Sequence, residues 1–467
     1  MDYLFDEQTF IESFNAKTDD SKSMDSIRLT HKPDGKFKLF PFKASGKSQA
    51  PIVTELSDIV SGFFREAANK VAEPITFDDL CKALREEVEL DEQDWDYFKD
   101  MIQSFFFVGE NFVADNLGLY PYQTSSNNKS ADNLAHFIYS VMEIDDQVCE
   151  RIEQAKEKHQ FNVLEDMVIS AIENKTVVEA EAYKPYFVVK RGIQDIFKAD
   201  FEYMLESGMT SLEDLSNLFA VYYLYYVSQT CFILDQFGAG NRDQKVNLYF
   251  ALDWEKVSKN RKCCIEGWEN LQENINHMFA HAITLEILNQ TTTNEMLDYI
   301  SLVQMSQTND DEIAVEIKKA EQTYCSFVGD FKGFDNIPYT PGVSKTDQAI
   351  THLFKCVQAQ FQGTDRKRAD QFYNEKFSEF CKYRWVKNRK KSGLVLNLTE
   401  RDVIFLTKIC LRDEEKIRLN DLYKEYEKRG IYLDNTSKEY LQDFFTKLNL
   451  IDKKSDSGDA QYVKRIL

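Results

Sequence analysis

The last seventy residues constrain the fold most tightly, because their apolar spacing admits essentially one order of elements. Thr399–Leu411 carries Val403, Leu406 and Ile409 or Cys410 at helical intervals, which predicts a helix with one buried face. A second helix is predicted over Leu419–Arg429, closed by Gly430. A third is expected from a cap at Thr436 or Ser437 through Leu448. Ile451–Val463 then reads as two short strands about a Ser-Gly turn. Short-linked helices followed by a β-ribbon are the layout of a winged helix, a module that binds.

The remainder is predicted to be mainly helical. The 467 residues include only 17 Gly and 8 Pro, and both residues break helices. The expected organisation is a multidomain helical protein with four stretches. Residues 1–122 form an N-terminal α+β domain, 131–362 a helical core, 363–397 a basic helical linker and 398–467 the winged helix. Within the first, Ser26–His31 and Lys36–Phe40 flank Pro33-Asp34-Gly35 and predict a β-hairpin. Thr76 followed by Asp79 predicts a capped helix over 77–87. A second helix over 92–106 and a hairpin about Gly109–Asn111 complete a faint echo of the C-terminal module, here studded with acids. In the core, helices are expected over 131–158, 161–174, 192–207, 211–236, 265–289, 293–305, 310–325 and 345–362. Asn247–Asp253 is predicted to be a strand or a buried extended piece, and Phe331–Gly342 a structured loop.

Leu215–Leu234 is uncharged for twenty residues, but tyrosines, Asn217, Gln229 and hydroxyl residues interrupt it and acids flank it. A central buried helix is therefore expected, and no membrane span. Nine scattered cysteines without a Cys-x-x-Cys pair, and a start without a basic, then apolar, leader, point to the cytoplasm.

The formal charge of −21 excludes a surface that binds polyanions everywhere and leaves room for a local basic patch. Residues 366–391 carry ten Lys/Arg and three Asp/Glu, a local +7, so everything else sums to −28. The densest part, Lys382–Lys391, interleaves six cations with Tyr383 and Trp385. Cations hold phosphates and aromatics pack or stack. Arg384, Lys387, Arg389, Lys390 and Lys391 are the candidate contacts with double-stranded DNA. Lys438 and Lys447 of the third C-terminal helix, with Lys453 and Lys454 of the wing, are the candidates next to them. Residues 400–467 are nevertheless balanced, with fourteen basic and fourteen acidic side chains. Base reading usually takes Arg, Asn or Gln, which the third helix supplies thinly (Gln442), so backbone contact or a protein–protein role suits them as well.

Catalytic patterns are sparse. Ser45–Ser48 contains Gly-Lys-Ser, but Pro41 stands where a phosphate-binding loop needs a glycine with its N–H. His277 and His281 have the i, i+4 spacing of metal ligands, with Glu273 or Glu286 as a possible third, but no general-base Glu lies between them. Ordinary core histidines are the simpler expectation. No catalytic residue, metal or cofactor is assigned.

Three segments resemble one family. Tyr249–Glu255 with Arg261–Trp268, His281 with Leu285–Asn289, and above all Lys454–Val463 are similar to the G component (DptG) of bacterial DNA phosphorothioation-dependent restriction systems. Such systems mark host DNA with sulfur in the phosphate backbone and attack DNA lacking the mark. The resemblance implies a host-defence role as a non-catalytic, DNA-contacting or scaffold subunit. Partner subunits of ATPase and helicase or nuclease type would supply the chemistry. A pure protein scaffold and a metal enzyme using His277 and His281 are the competing expectations.

Overall fold

The structure, a computed structural model, describes residues 3–19, 21–43, 53, 56–71, 75–123, 129–158, 162–173, 178–179, 184–390, 393–453 and 461–466. It is mainly helical. The Gly-Lys-Ser loop, Lys391 and Lys454 lie outside the described residues.

The N-terminal part opens with α1 (Glu7–Ser13), capped by Asp6, and α2 (Ser57–Ala67). Strand β1 (Lys70–Val71) follows, then α3 (Phe77–Glu87), α4 (Glu92–Phe106) and the hairpin β2 (Phe107–Val108) and β3 (Asn111–Phe112). Thr76 accepts from the Asp79 N–H at the start of α3, the predicted cap. The expected hairpin at 26–40 does not form. Its backbone donors are spent elsewhere: Lys36 and Phe37 N–H donate to the Glu286 carboxylate at 2.8 and 2.7 Å, and Arg28 N–H donates to the Phe327 carbonyl. Phe37, Leu39 and Phe40 are all buried, so burial of both faces replaces the alternation of a half-exposed hairpin.

The helical body contains α5 (Lys129–Val141), α6 (Asp146–Lys158), α7 (Val163–Glu173), β4 (Val178–Glu179), α8 (Gln194–Ser207) and α9 (Leu212–Leu234). The predicted 131–158 helix is broken in two at Glu143, whose φ is 51°. Strand β4 pairs antiparallel with β1. Helix α9 contains the uncharged run and is buried along nearly its whole length, with several of its polar side chains bonded inside. Gln229, for example, exchanges two 2.8 Å hydrogen bonds with the backbone of Val246. Among the described residues no helix is long and apolar enough to cross a membrane.

Next come β5 (Tyr249–Phe250), α10 (Glu269–Ile275), α11 (Met278–Leu288), α12 (Tyr299–Met305), α13 (Asp310–Phe327), α14 (Lys345–Gln362) and α15 (Lys367–Arg384). The stretch expected as a helical linker is helical only to Arg384. Beyond it, β6 (Val386–Asn388) and β7 (Leu394–Leu396) form an antiparallel hairpin.

The C-terminal elements are α16 (Glu400–Leu411), β8 (Lys416–Arg418), α17 (Leu419–Lys428), β9 (Tyr432–Leu433), α18 (Asn435–Lys447), β10 (Ile451–Lys453) and β11 (Gln461–Lys464). The sheet order is β10-β11-β8, antiparallel throughout. One connected cluster of buried apolar side chains runs from Tyr3 to Val463, through all four expected stretches. A smaller core gathers α3, α4 and α7 around Leu84, Trp95 and Ile172.

Candidate functional site

The basic hairpin is seated on the body by a buried base. Trp385, which ends α15, is 1% exposed and meets the Phe380 ring edge-on at 5.5 Å. It is part of the core and offers no stacking face. From there Val386 pairs with Leu396 and Asn388 with Leu394. Residues Tyr249–Ala251 lie between this hairpin and the C-terminal unit. Tyr249 and Phe250 pair in parallel with Tyr432 and Leu433, while Ala251 bridges to Asn397. Arg389 reaches across and donates from Nη2 to the Glu255 carbonyl at 2.7 Å. This bond sets the hairpin beside the loop that carries Lys256, Lys259 and Lys262, all three exposed. Lys262 also lies over the Tyr249 ring at 5.1 Å.

The predicted contacts therefore divide. Arg384 is committed internally: Nη2 bonds Asn217 and lies 3.6 Å from Asp402, and the guanidinium covers the Trp385 ring. Arg389 is half-buried and tied to Glu255. Lys387 is half-buried and Lys390 exposed, the latter with a φ of 53° at the hairpin turn. Lys438 is half-buried over Tyr423, with Glu427 3.9 Å away, while Lys447 is exposed. Lys453 belongs to β10.

The start of α18 is not free either. Asp434 caps it through the Ser437 N–H, and Arg261 grips Asp434 with two bonds of 2.7 and 2.9 Å. The same guanidinium holds Asp253 and the Ser437 hydroxyl, each at 2.8 Å. Burial pushes the Asp434 carboxyl up, but Arg261 and the cap bonds prevail and bring it down to about 2. The end of a helix that would point at a groove is thus docked on the body, and the outer side of α18 mixes Lys447 with Glu439 and Asp443.

His277 and His281 converge as their spacing predicts, but on Asp235, forty-two and forty-six residues upstream. Asp235 Oδ1 lies 2.9 Å from His277 Nδ1 and 2.7 Å from His281 Nε2. The other ring nitrogen of His281 meets the Tyr299 hydroxyl at 3.0 Å. Hydrogen bonding to Asp235 raises the His277 pKa, while burial lowers that of His281. Both nitrogens of His281 are engaged, and the carboxylate stands at hydrogen-bond distance from both rings. The arrangement bridges α9 to α11. Glu286, one expected third ligand, is occupied by the Lys36 and Phe37 N–H groups.

No protein-family model matches the chain, and no curated protein matches it. Sequence reasoning missed that the loop carrying Lys256, Lys259 and Lys262 is bonded to the basic hairpin. Their separation of more than a hundred residues leaves no local signal. A second pattern was readable and overlooked: Glu321 and Cys325 stand at i, i+4, as do His352 and Cys356.

Proposed function

We propose that this protein is a non-catalytic subunit that holds the backbone of duplex DNA, and that its C-terminal elements form a winged helix. The order helix, strand, helix, strand, helix, strand, strand, with β8 beside β11 and the short β9 pairing outside that sheet, supports the second part. One observation carries the first. The hairpin that carries Lys387 and Lys390 is bonded through Arg389 to Glu255, in the loop that carries Lys256, Lys259 and Lys262, on a chain whose net charge is −21. A local group of lysines on an acidic molecule suits contact with phosphates, without base reading. Assignment to a phosphorothioation-dependent restriction complex, with ATPase and helicase or nuclease partners, rests on the sequence resemblance alone. The acidic α3–α4 lobe, where Tyr97, Phe105 and Val108 are exposed, suits a partner protein.

A specific observation favours the scaffold reading as well: Arg384, Trp385 and the start of α18 all face inward. Gel shift of the purified chain with an arbitrary duplex separates the two. Binding that falls for every sequence alike in a K256A/K387A/K390A variant supports DNA contact. No shift by the unaltered chain at low salt leaves the scaffold.

A further inference from the structure

The packing of α13 against α14 buries a second set of potential ligands, unconnected with the basic patch. Glu321 and Cys325 lie one turn apart on α13, and His352 and Cys356 one turn apart on α14. One-turn spacing puts each pair on a single helix face, and the two faces meet. His352 Nδ1 is 2.7 Å from Glu321 Oε2 and 3.7 Å from Cys356 Sγ. The ligand atoms of Glu321, His352 and Cys356 all lie within 4.8 Å of one another. The Cys325 thiol lies outside this 4.8 Å group but neighbours Cys356, one turn beyond Glu321 on the same face, and is the fourth donor within reach. Glu321, His352 and Cys356 are buried, and Cys325 is partly open.

The imidazole is oriented for ligation. Its Nε2 is 3.0 Å from the Ile337 carbonyl, which can only accept, so Nε2 carries a proton. In the neutral ring this leaves the Nδ1 lone pair directed at the cluster. Tyr339 stacks on the ring at 3.7 Å and 5°, fixing its plane. A backbone carbonyl on the distal nitrogen is the usual outer partner of a metal-binding histidine.

The distances suit a tetrahedral ion. Bonds of about 2.0–2.1 Å to nitrogen and about 2.3 Å to sulfur place those two ligand atoms roughly 3.6 Å apart. The observed separation is 3.7 Å. Nitrogen and carboxylate oxygen need roughly 3.3 Å, so Glu321 has only to retreat by about half an ångström. Two sulfurs, one nitrogen and one oxygen form a donor set that suits zinc and disfavours calcium or magnesium, which take oxygen. We propose that Glu321, Cys325, His352 and Cys356 form a closed site for a zinc-class divalent cation that clamps α13 to α14. Binding releases to solvent the two thiol protons and the proton shared between His352 Nδ1 and Glu321, and needs no oxidant.

A divalent charge among the four side chains would hold both sulfurs as thiolates.

The test uses the full chain, purified in reductant, stripped by chelator and reloaded with zinc or with cobalt(II). The expected result is one ion per chain surviving gel filtration. The cobalt form should show sulfur-to-metal charge transfer and the intense visible bands of a tetrahedral site. Zinc should shield two thiols from a thiol reagent, and chelator should expose them, a readout that needs no variant. A C325S/C356S variant, shown to be folded by circular dichroism, should lose the bands, while H281Q should keep them, which separates this site from Asp235–His277–His281. Three results overturn the proposal. They are no stoichiometric binding by the unaltered chain, thiolate bands that persist in C325S/C356S, or a Cys325–Cys356 disulfide whose reduced form takes up no metal.

Discussion

Asp200 is wholly buried in α8, and its two oxygens accept from three side chains. Arg429 donates from Nε and Nη2 at 2.6 Å each, the Tyr222 hydroxyl at 2.6 Å and Arg412 at 3.0 Å. Arg429 is itself 2% exposed, so the pair joins α17 to the body without water. Removing Asp200 strips the buried Arg429 of its two shortest charge-assisted bonds and leaves it only one carboxylate, the half-buried Glu425 at 3.1 Å. D200A should therefore lose about 3–5 kcal/mol in urea unfolding, and D200L/R429M should recover most of it. If D200A alone proved neutral, the pair would not be the tie described. Asp370 acts in the opposite sense. Burial raises its carboxyl from 3.8 to about 6, so the folded state keeps this proton to higher pH than the unfolded chain. The fold is unhampered by Asp370 below about 3.8, and stability falls as pH rises through about 6. D370N should accordingly stabilise the protein by about 2 kcal/mol at neutral pH. The gain should vanish in acid; an equal gain at both pH values would mean the carboxyl is not the cause.

At the scale of elements, Arg261 locks the start of α18. R261A should raise amide hydrogen exchange over Asn435–Lys447 while α5 and α8 stay protected; uniform exchange across the chain would dismiss a local lock. Since Asp434 is held down to about 2, its contribution is present above 3.8 and fades as pH falls through about 2. Neither residue announces this role in sequence, because Arg261 and Asp434 are 173 residues apart. What is local was legible. Thr76 caps α3 at the predicted place, and Gly430 ends α17 with a φ of 78°, whereas α18 is capped by Asp434 and not by Thr436 or Ser437 as expected. A Cβ at Gly430 would also strike the Tyr225 ring. Breaks without glycine or proline were not legible. Glu143 interrupts 131–158 at a left-handed residue, and only Asp145, which accepts from the Val148 N–H at 3.0 Å, marks the restart as a cap. The β6–β7 hairpin was read as helix because cations and aromatics near Trp385 fit either structure. Its partner, Ala251, lies more than a hundred residues upstream. The histidine centre was half visible: the i, i+4 pair could be read, but Asp235 is supplied by the end of α9.

For the whole molecule, the question is whether a chain with −21 charges can hold a polyanion at one edge. Long-range repulsion is screened beyond about 8–10 Å at ordinary ionic strength, so the lysines at the surface decide. If Lys256, Lys259, Lys387 and Lys390 each meet a phosphate, the logarithm of affinity should fall with the logarithm of salt at a slope of about −3.6. A fourfold rise in salt would then weaken binding by roughly two orders of magnitude. K387E/K390E should flatten that slope by about two units, irrespective of duplex sequence. R384A should behave differently, because Arg384 is bonded to Asn217 and Asp402: it should lower stability and leave the salt slope unchanged. Fluorescence anisotropy with two unrelated duplexes across a salt series reads both quantities. A slope unaffected by K387E/K390E would place any phosphate contact elsewhere, and a slope lost in R384A, with the fold intact, would mean that the inward-facing arginine turns out to meet DNA.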